Sequence, residues 1–229
     1  MGTRVIKLLV HFTVLCILCS NSNAETDFED GKFFIVSSVA TGKAMTLSGG
    51  PTFPKGASVV TSAWIARDTQ TWLALAESSK KEGRVIGGSK KFVLIPQQQS
   101  WNWKDFVSNG DVNITLETLP PNTMVLTLDS TAVNLTQEVY ADESSQKWVV
   151  EDVGEGEVLI KNWGNQQCIR NFDHKNLNFL ENIRKRIDNF FGVFRKKKPS
   201  PLGTLACASE DISERWTLEP AYVLNFKSG

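Results

Sequence analysis

Short apolar runs, most of them alternating with polar residues, dominate the chain from about residue 30 onward. Runs of this pattern are typical of β-strands, and turn signals such as Gly87-Gly88 and Gly164-Asn165 separate them. The predicted strands are 33–36, 57–61, 70–75, 92–95, 124–128, 147–150 and 158–160. Many short strands with glycine-rich turns predict an all-β sandwich or barrel.

A tripeptide that begins with a polar residue and ends with tryptophan recurs near the end of three β-patterned stretches. The copies are Gln70-Thr71-Trp72, Gln146-Lys147-Trp148 and Glu214-Arg215-Trp216. Their spacing of roughly seventy residues predicts three repeats of one supersecondary unit, which bury their apolar faces against one another. Side chains two apart in a strand share a face, so each Gln or Glu is expected to point the same way as its Trp.

One segment breaks the β pattern with apolar residues at three- and four-residue spacing. They are Leu177, Leu180, Ile183, Ile187, Phe190, Phe191 and Phe194. This spacing predicts an amphipathic helix inserted in the third repeat, within about 173–200, that ends in a basic run before Pro199. The apolar stripe either covers an open end of the β-domain, which we favour, or belongs to an interfacial membrane segment or polyanion site.

The N-terminus has the pattern of a secretory signal peptide over residues 1–24. Arg4 and Lys7 precede an apolar run at 8–18, and the small residue Ala24 suits signal peptidase. No later run reaches the roughly 20 apolar residues of a membrane helix, so we expect a secreted mature protein that begins at Glu25.

The signal peptide decides which cysteines the mature protein keeps. Cys16 and Cys19 leave with the signal peptide, so Cys168 and Cys207 remain in an oxidising compartment. An even pair there predicts one disulfide.

Charge and residue types argue against nucleic-acid binding and against catalysis. The chain has 25 basic and 25 acidic residues, and loss of Arg4 and Lys7 leaves 23 and 25, a formal charge of −2. His174 is the one histidine beyond the signal peptide, so histidine-based metal clusters and repeated acid–base pairs cannot be assembled. We therefore predict no enzyme activity, cofactor or metal.

Two triplets are acceptors for N-linked glycosylation in a secreted protein. They are Asn113-Ile114-Thr115 and Asn134-Leu135-Thr136. Both predict exposed segments.

The repeats carry a family resemblance. Residues 34–47, 56–60 and 70–72 resemble one repeat of the ricin-type β-trefoil lectin domains, whose hallmark is Gln-x-Trp. The third repeat is similar through 158–162, 202–207 and 214–216, and Cys168 and Cys207 match the intra-repeat disulfide positions of the family. The resemblance implies a single β-trefoil domain over 25–229. Its repeats lie at about 30–80, 83–150 and 156–220, with an insertion in the second around 97–121.

In sugar-binding members of this family, a shallow pocket uses an Asp after the first conserved Leu, an aromatic platform, and an Asn directly before Gln-x-Trp. Here the Asp positions align with Thr46, Val93 and Arg170, and the Asn positions with Thr69, Ser145 and Ser213. The resemblance therefore implies that the family's three pockets are lost.

Three other tryptophans are candidate glycan platforms. We favour Trp64 as a core residue or loop anchor, since large apolar side chains are mostly buried. Trp101 and Trp103 share a face if their loop is extended, beside polar Gln97. Two interpretations of this pair are open, an exposed glycan or protein contact and a local cap on the core.

These observations predict a secreted, non-catalytic lectin-like protein. Its ligand is either a glycan or glycoprotein held by Trp64, Trp101 and Trp103, or a sulfated polysaccharide held by Lys196, Lys197 and Lys198. The alternative is a membrane-active or protein-interaction factor that uses the basic helix, with the trefoil as scaffold and an anionic membrane as one possible partner. A trefoil protease inhibitor has only the fold in its favour.

Overall fold

A computed structural model describes residues 28–49, 54–77, 90–108, 111–172 and 200–221, where the regular elements are strands and short 3-10 turns. The strands are β1 Lys32–Ser38, β2 Ala44–Leu47, β3 Val59–Ser62, β4 Trp72–Ala76, β5 Phe92–Pro96, β6 Val107–Ser108, β7 Asp111–Val112, β8 Met124–Leu128, β9 Leu135–Val139, β10 Trp148–Gly154, β11 Glu157–Asn162, β12 Gln167–Asn171, β13 Ser200–Ala206 and β14 Arg215–Ala221. The all-β prediction is confirmed.

Two predicted segments cannot be compared with the structure. The signal peptide at 1–24 and the helical residues 177–194 lie outside the described residues. Within the described part of the chain, no helix is long and apolar enough to cross a membrane.

Twelve strands form three units of four, and six of them close a barrel. Unit one is β1–β4, unit two is β5 with β8–β10, and unit three is β11–β14. The barrel strands are hydrogen-bonded in the order β10-β5-β4-β1-β14-β11, and β10 also pairs with β11. This last pairing completes the ring, so none of the six is a free edge.

The other six strands form three hairpins, β2–β3, β8–β9 and β12–β13, that contact one another. Ser58 bridges to Thr136, Asn134 bridges to Gly203, and Pro201 pairs with Val60. Each hairpin therefore pairs with both of the others, which is the arrangement of a β-trefoil.

The tryptophans of the repeated tripeptide lie at the centre of the core. Trp72, Trp148 and Trp216 are fully buried. Their indole N–H groups donate to the carbonyls of Met45, Leu126 and Ile169 at 3.1, 3.2 and 3.1 Å. Each unit thus buries a large apolar ring and satisfies its one polar atom in the same way.

A second apolar cluster lies beneath the long connection between β5 and β8. Trp103 is 4% exposed, packs edge-on against Phe33 at 5.1 Å between ring centroids, and donates its indole N–H to the Gln97 carbonyl. Trp101 contacts Trp103 at 4.4 Å and packs against the same cluster. The interpretation of Trp101 and Trp103 as an exposed pair is therefore wrong, and they form a cap on the core.

The reason is local. Trp103 begins a 3-10 turn, Trp103–Asp105, in which the Asn102 side chain accepts a hydrogen bond from Lys104 N at 3.1 Å. Asn102 between them is extended and the two rings contact each other, so they do share a face, but this face packs on the apolar cluster and not toward solvent.

The predicted disulfide between Cys168 and Cys207 is present, with 5.0 Å between the Cα atoms. It joins β12 to the residue after β13 and closes a loop with a sequence separation of 39.

Candidate functional site

The first residue of each repeated tripeptide anchors the loop that precedes it. Gln70, Gln146 and Glu214 are buried at the end of 3-10 turns. Their side-chain oxygens accept hydrogen bonds from the backbone N–H groups of Ile65 at 2.9 Å, Ala141 at 2.8 Å and Ala208 at 2.6 Å. The three loops are therefore held by the same kind of contact.

The structure corrects one of the aligned pocket positions. In each unit, one backbone carbonyl accepts the hydrogen bond from the indole of the core tryptophan. The next residue in the chain is Thr46 in unit one, Thr127 in unit two and Arg170 in unit three. Thr127 therefore holds the position assigned to Val93, which lies buried in β5, the first strand of unit two. The long β5–β8 connection shifts the second strand along the chain, which misled the alignment. No unit has Asp here.

In unit one, hydroxyl and amide groups form a small polar cluster. The hydroxyls of Thr46 and Ser62 lie 2.8 Å apart. Gln70 Nε2 contacts both, at 3.2 and 3.1 Å, and donates to the Ala63 carbonyl at 2.8 Å. Gln70 thus holds the backbone on both sides of Trp64.

Trp64 itself is exposed. Its side chain is 40% exposed and its neighbour Ile65 is 55% exposed. The interpretation of Trp64 as a core residue is wrong, because Gln70 fills the buried position beneath the loop and the loop turns outward through Ala66, whose φ is 53°.

In unit two the corresponding loop carries polar groups. Gln146 Nε2 donates to Thr127 Oγ1 at 3.3 Å and to the Val139 carbonyl at 2.9 Å. Tyr140 and Asp142 hold the positions of Trp64 and Ala66, and the Tyr140 hydroxyl donates to Asp142 Oδ1 at 3.0 Å.

An ion-pair network extends from this loop to unit one. Lys147 Nζ lies 2.7 Å from Glu77 Oε1 and 2.9 Å from Asp142 Oδ1. The hydrogen bonds from Lys147 lower the pKa of both carboxyls. Burial opposes the charge on Lys147, but its bonds to Glu77 and Asp142 raise its pKa. Burial and the bond to Asp142 raise the pKa of Tyr140 to about 12.

In unit three an ion pair replaces the amide and hydroxyl. Arg170 Nε donates to Glu214 Oε1 at 3.0 Å, and Arg170 Nη2 contacts both Glu214 and Asp211, the latter at 2.9 Å. Asp211 also accepts hydrogen bonds from the backbone and hydroxyl of Ser213. These groups satisfy one another, so they are not preformed to hold a ligand.

The remaining predicted residues are separated. Ser145, at an Asn position, donates to Glu143 at 3.2 Å, and Thr69 lies on the 3-10 turn before Trp72. Asn113 and Asn134 are exposed, as predicted for glycosylation acceptors. Lys196, Lys197 and Lys198 lie outside the described residues. Among the described residues, no group of His, Cys, Asp and Glu could hold a metal ion.

One exposed aromatic residue was missed by sequence reasoning. Trp163 is 41% exposed in the β11–β12 turn, and Lys91 Nζ lies 4.2 Å from its ring centroid. The turn signal Gly164-Asn165 directly after it indicated that its side chain would lie at the surface.

The sequence matches no protein-family model and no curated relative. Solved structures do match. A ricin B-like lectin of Macrolepiota procera in complex with lactose is 12% identical, with a TM-score of 0.51 over 85% of this chain and 99% of that one. A Polyporus squamosus lectin is 10% identical, with a TM-score of 0.50 over 84% of this chain and 50% of the lectin. A mosquitocidal holotoxin is 13% identical, with a TM-score of 0.55 over 85% of this chain and 18% of the toxin. The chain therefore has a divergent β-trefoil fold of the ricin B-like lectin type.

Proposed function

We propose that the chain is a secreted, non-catalytic carbohydrate-binding protein that holds a glycan on the Trp64 loop, residues 63–67. One observation carries the proposal. An exposed tryptophan stands on a loop whose backbone is held on both sides of it by a buried glutamine.

The chemistry of the loop suits a sugar. An indole ring covers the apolar face of a pyranose, and its N–H can donate to a sugar hydroxyl. No hydrogen bond joins the Trp64 indole N–H to any of the described residues, so it is available to a ligand hydroxyl. Because Gln70 holds the backbone at Ala63 and Ile65, little ordering is needed on binding.

The fold and the disulfide agree with this proposal. The Macrolepiota procera lectin of the same fold was solved with lactose. A disulfide is typical of secreted proteins, in line with the signal peptide predicted at 1–24.

The test is binding of the mature secreted protein to an array of neutral and sulfated glycans that includes lactose. Trp64→Ala is expected to lower neutral-glycan binding by about tenfold or more, as truncation of an aromatic anchor does, while Trp64→Phe retains part of it. Ile212→Ser is the control, because Ile212 is an apolar residue 41% exposed on the 3-10 turn that ends at Glu214 in unit three. Neutral-glycan binding that survives Trp64→Ala would overturn the Trp64 assignment, and no glycan binding at all would overturn the function.

The lysines at 196–198 remain a second proposed contact, for sulfated polysaccharide. Sulfated glycans should then bind in a salt-sensitive manner, since exposed charge–charge attraction is screened by salt. Replacing Lys196, Lys197 and Lys198 with Gln should abolish that binding and leave neutral-glycan binding unchanged. The membrane-active alternative depends on the predicted helix, and no contact among the described residues favours it.

A further inference from the structure

Units two and three meet at a surface where Trp163 is held in place. Trp163 N donates to the Lys147 carbonyl at 2.8 Å. Asn162, which precedes it, accepts hydrogen bonds from Gly164 N at 3.0 Å and Asn165 N at 3.3 Å. Its Nδ2 donates to the carbonyls of Ser144, Ser145 and Lys147. The backbone of the turn is therefore fastened to the loop of unit two, and Lys91 Nζ lies over the exposed indole, 4.2 Å from its ring centroid.

The loop beside it supplies a carboxylate. Both hydrogen bonds that Asp142 accepts from described residues, from Lys147 and from Tyr140, end on Oδ1. The Asp142 side chain is 69% exposed. Its second oxygen, Oδ2, is therefore left to accept a bond from a ligand. Because Lys147 lowers the pKa of Asp142, the group is a carboxylate at neutral pH.

The charges around this surface balance. Glu77 and Asp142 are paired with Lys147, and Glu77 Oε2 also lies 3.1 Å from Lys91 Nζ. Within this network, two carboxylates and two ammonium groups carry no net charge. An aromatic ring, a carboxylate and a phenol within a neutral network suit an uncharged polyhydroxyl ligand.

We propose that Trp163, Asp142 and Tyr140 form a second carbohydrate-binding face, at the junction of units two and three, that takes a neutral sugar. This inference rests on the proposed function for its ligand class but on different residues. Tyr140 and Asp142 correspond to Trp64 and Ala66, and the φ values of Ala66 and Asp142, 53° and 57°, show that the two loops bend alike. In unit three, the loop residue Cys207 is bound in the disulfide. The chain then has two faces that take a sugar.

The test is a titration of the mature full-length protein, labelled with 15N, with lactose, cellobiose and chitobiose, followed by NMR of the tryptophan indole N–H signals. Trp64→Phe and Trp163→Phe assign the two signals of interest. A sugar is expected to shift the Trp163 signal. Asp142→Asn should weaken that response by about tenfold, because it removes the acceptor charge, while Asn tolerates the positive φ of this position.

The outcomes separate the two proposals. A Trp163 shift that Asp142→Asn weakens, with the Trp64 response unchanged, supports the second face. A Trp64 shift without a Trp163 shift overturns the second face and leaves the proposed function intact. A Trp163 shift that Asp142→Asn leaves unchanged overturns the role of the carboxylate. If no sugar shifts either signal, both proposals are overturned.

Discussion

Arg170 donates to Glu214 at the place where the other units join a threonine to a glutamine. The three units therefore satisfy the same buried position with two kinds of contact. A hydroxyl and an amide suffice in units one and two, whereas unit three uses a charged pair whose carboxylate is fully buried. The ionic version depends most on Arg170, because the Glu214 carboxylate without it would be buried without a counter-charge, whereas Arg170 also pairs with Asp211.

Arg170 and Glu214 should be coupled in their contributions to stability. Arg170→Thr alone should lower the free energy of unfolding by about 3 kcal/mol, because it leaves the buried Glu214 carboxylate uncompensated. Glu214→Gln alone should cost less, because Arg170 keeps its ion pair with Asp211. The double variant recreates the chemistry of the other units and should recover most of that loss. Urea denaturation of the four proteins measures the coupling. Simple additivity of the two single losses would show that the pair does not act as a unit.

The acid limit of stability should depend on Lys147. Glu77 and Asp142 have pKa values below their ordinary values of 4.5 and 3.8 because Lys147 bonds to both. A lowered carboxyl pKa contributes stability that is present above the unfolded pKa and is lost as the pH falls through the folded pKa. Stability should therefore be constant near neutral pH and fall below about pH 5.

Lys147→Met should flatten this acid decline, as measured by urea denaturation from pH 7 to pH 2. Lys55→Met is the control, since its ion pair with Glu138 is 3.5 Å long and the Lys55 side chain is 70% exposed. An equal decline in the wild type and the Lys147 variant would rule out the network as its cause.

Tyr140 should resist ionisation. Burial and the hydrogen bond to Asp142 raise its pKa to about 12, so its contribution to stability is present below the unfolded pKa of 10.0 and is lost as the pH rises through about 12. Absorbance at alkaline pH, compared with a Tyr140→Phe variant, reports this group. Asp142→Asn should lower its pKa toward 10, and no change in that variant would contradict the assigned contact.

Gly203 should be intolerant of any side chain. A Cβ there would lie 2.5 Å from Phe172 Cε2 and closer still to the Val133 carbonyl, where the second and third hairpins meet. We expect Gly203→Ala to cost about 2 kcal/mol or more of unfolding free energy, since backbone must move.

Gly42→Ala is the comparison for Gly203→Ala. Its Cβ would meet nothing within 4 Å, although its φ of 63° disfavours a side chain. It should cost only about 1 kcal/mol. Thermal unfolding of both variants checks the difference, and equal losses would mean that the contact at Gly203 relaxes easily.

Much of the fold was predictable from local patterns. Strand alternation and the recurring Trp72, Trp148 and Trp216 depend on neighbours in sequence, and two cysteines beyond a signal peptide leave one possible pairing. The failures involved Val93, Trp64 and Trp103. Val93 and Trp103 depended on the long β5–β8 connection and its 3-10 turn, and Trp64 depended on a loop that bends at Ala66, none of which has a periodic pattern.

The sequence by itself determined that this chain is an all-β, three-unit protein with tryptophans buried at matching positions, because short-range periodicity and composition decide which residues form strands and which seek the core. Only the tertiary structure decided which surfaces carry chemistry. Trp163 comes from unit three, Lys91 and Asp142 come from unit two, and Lys147 and Glu77 are 70 residues apart in the chain. Closing the barrel brings these side chains together, and contacts of that range leave no mark on local sequence.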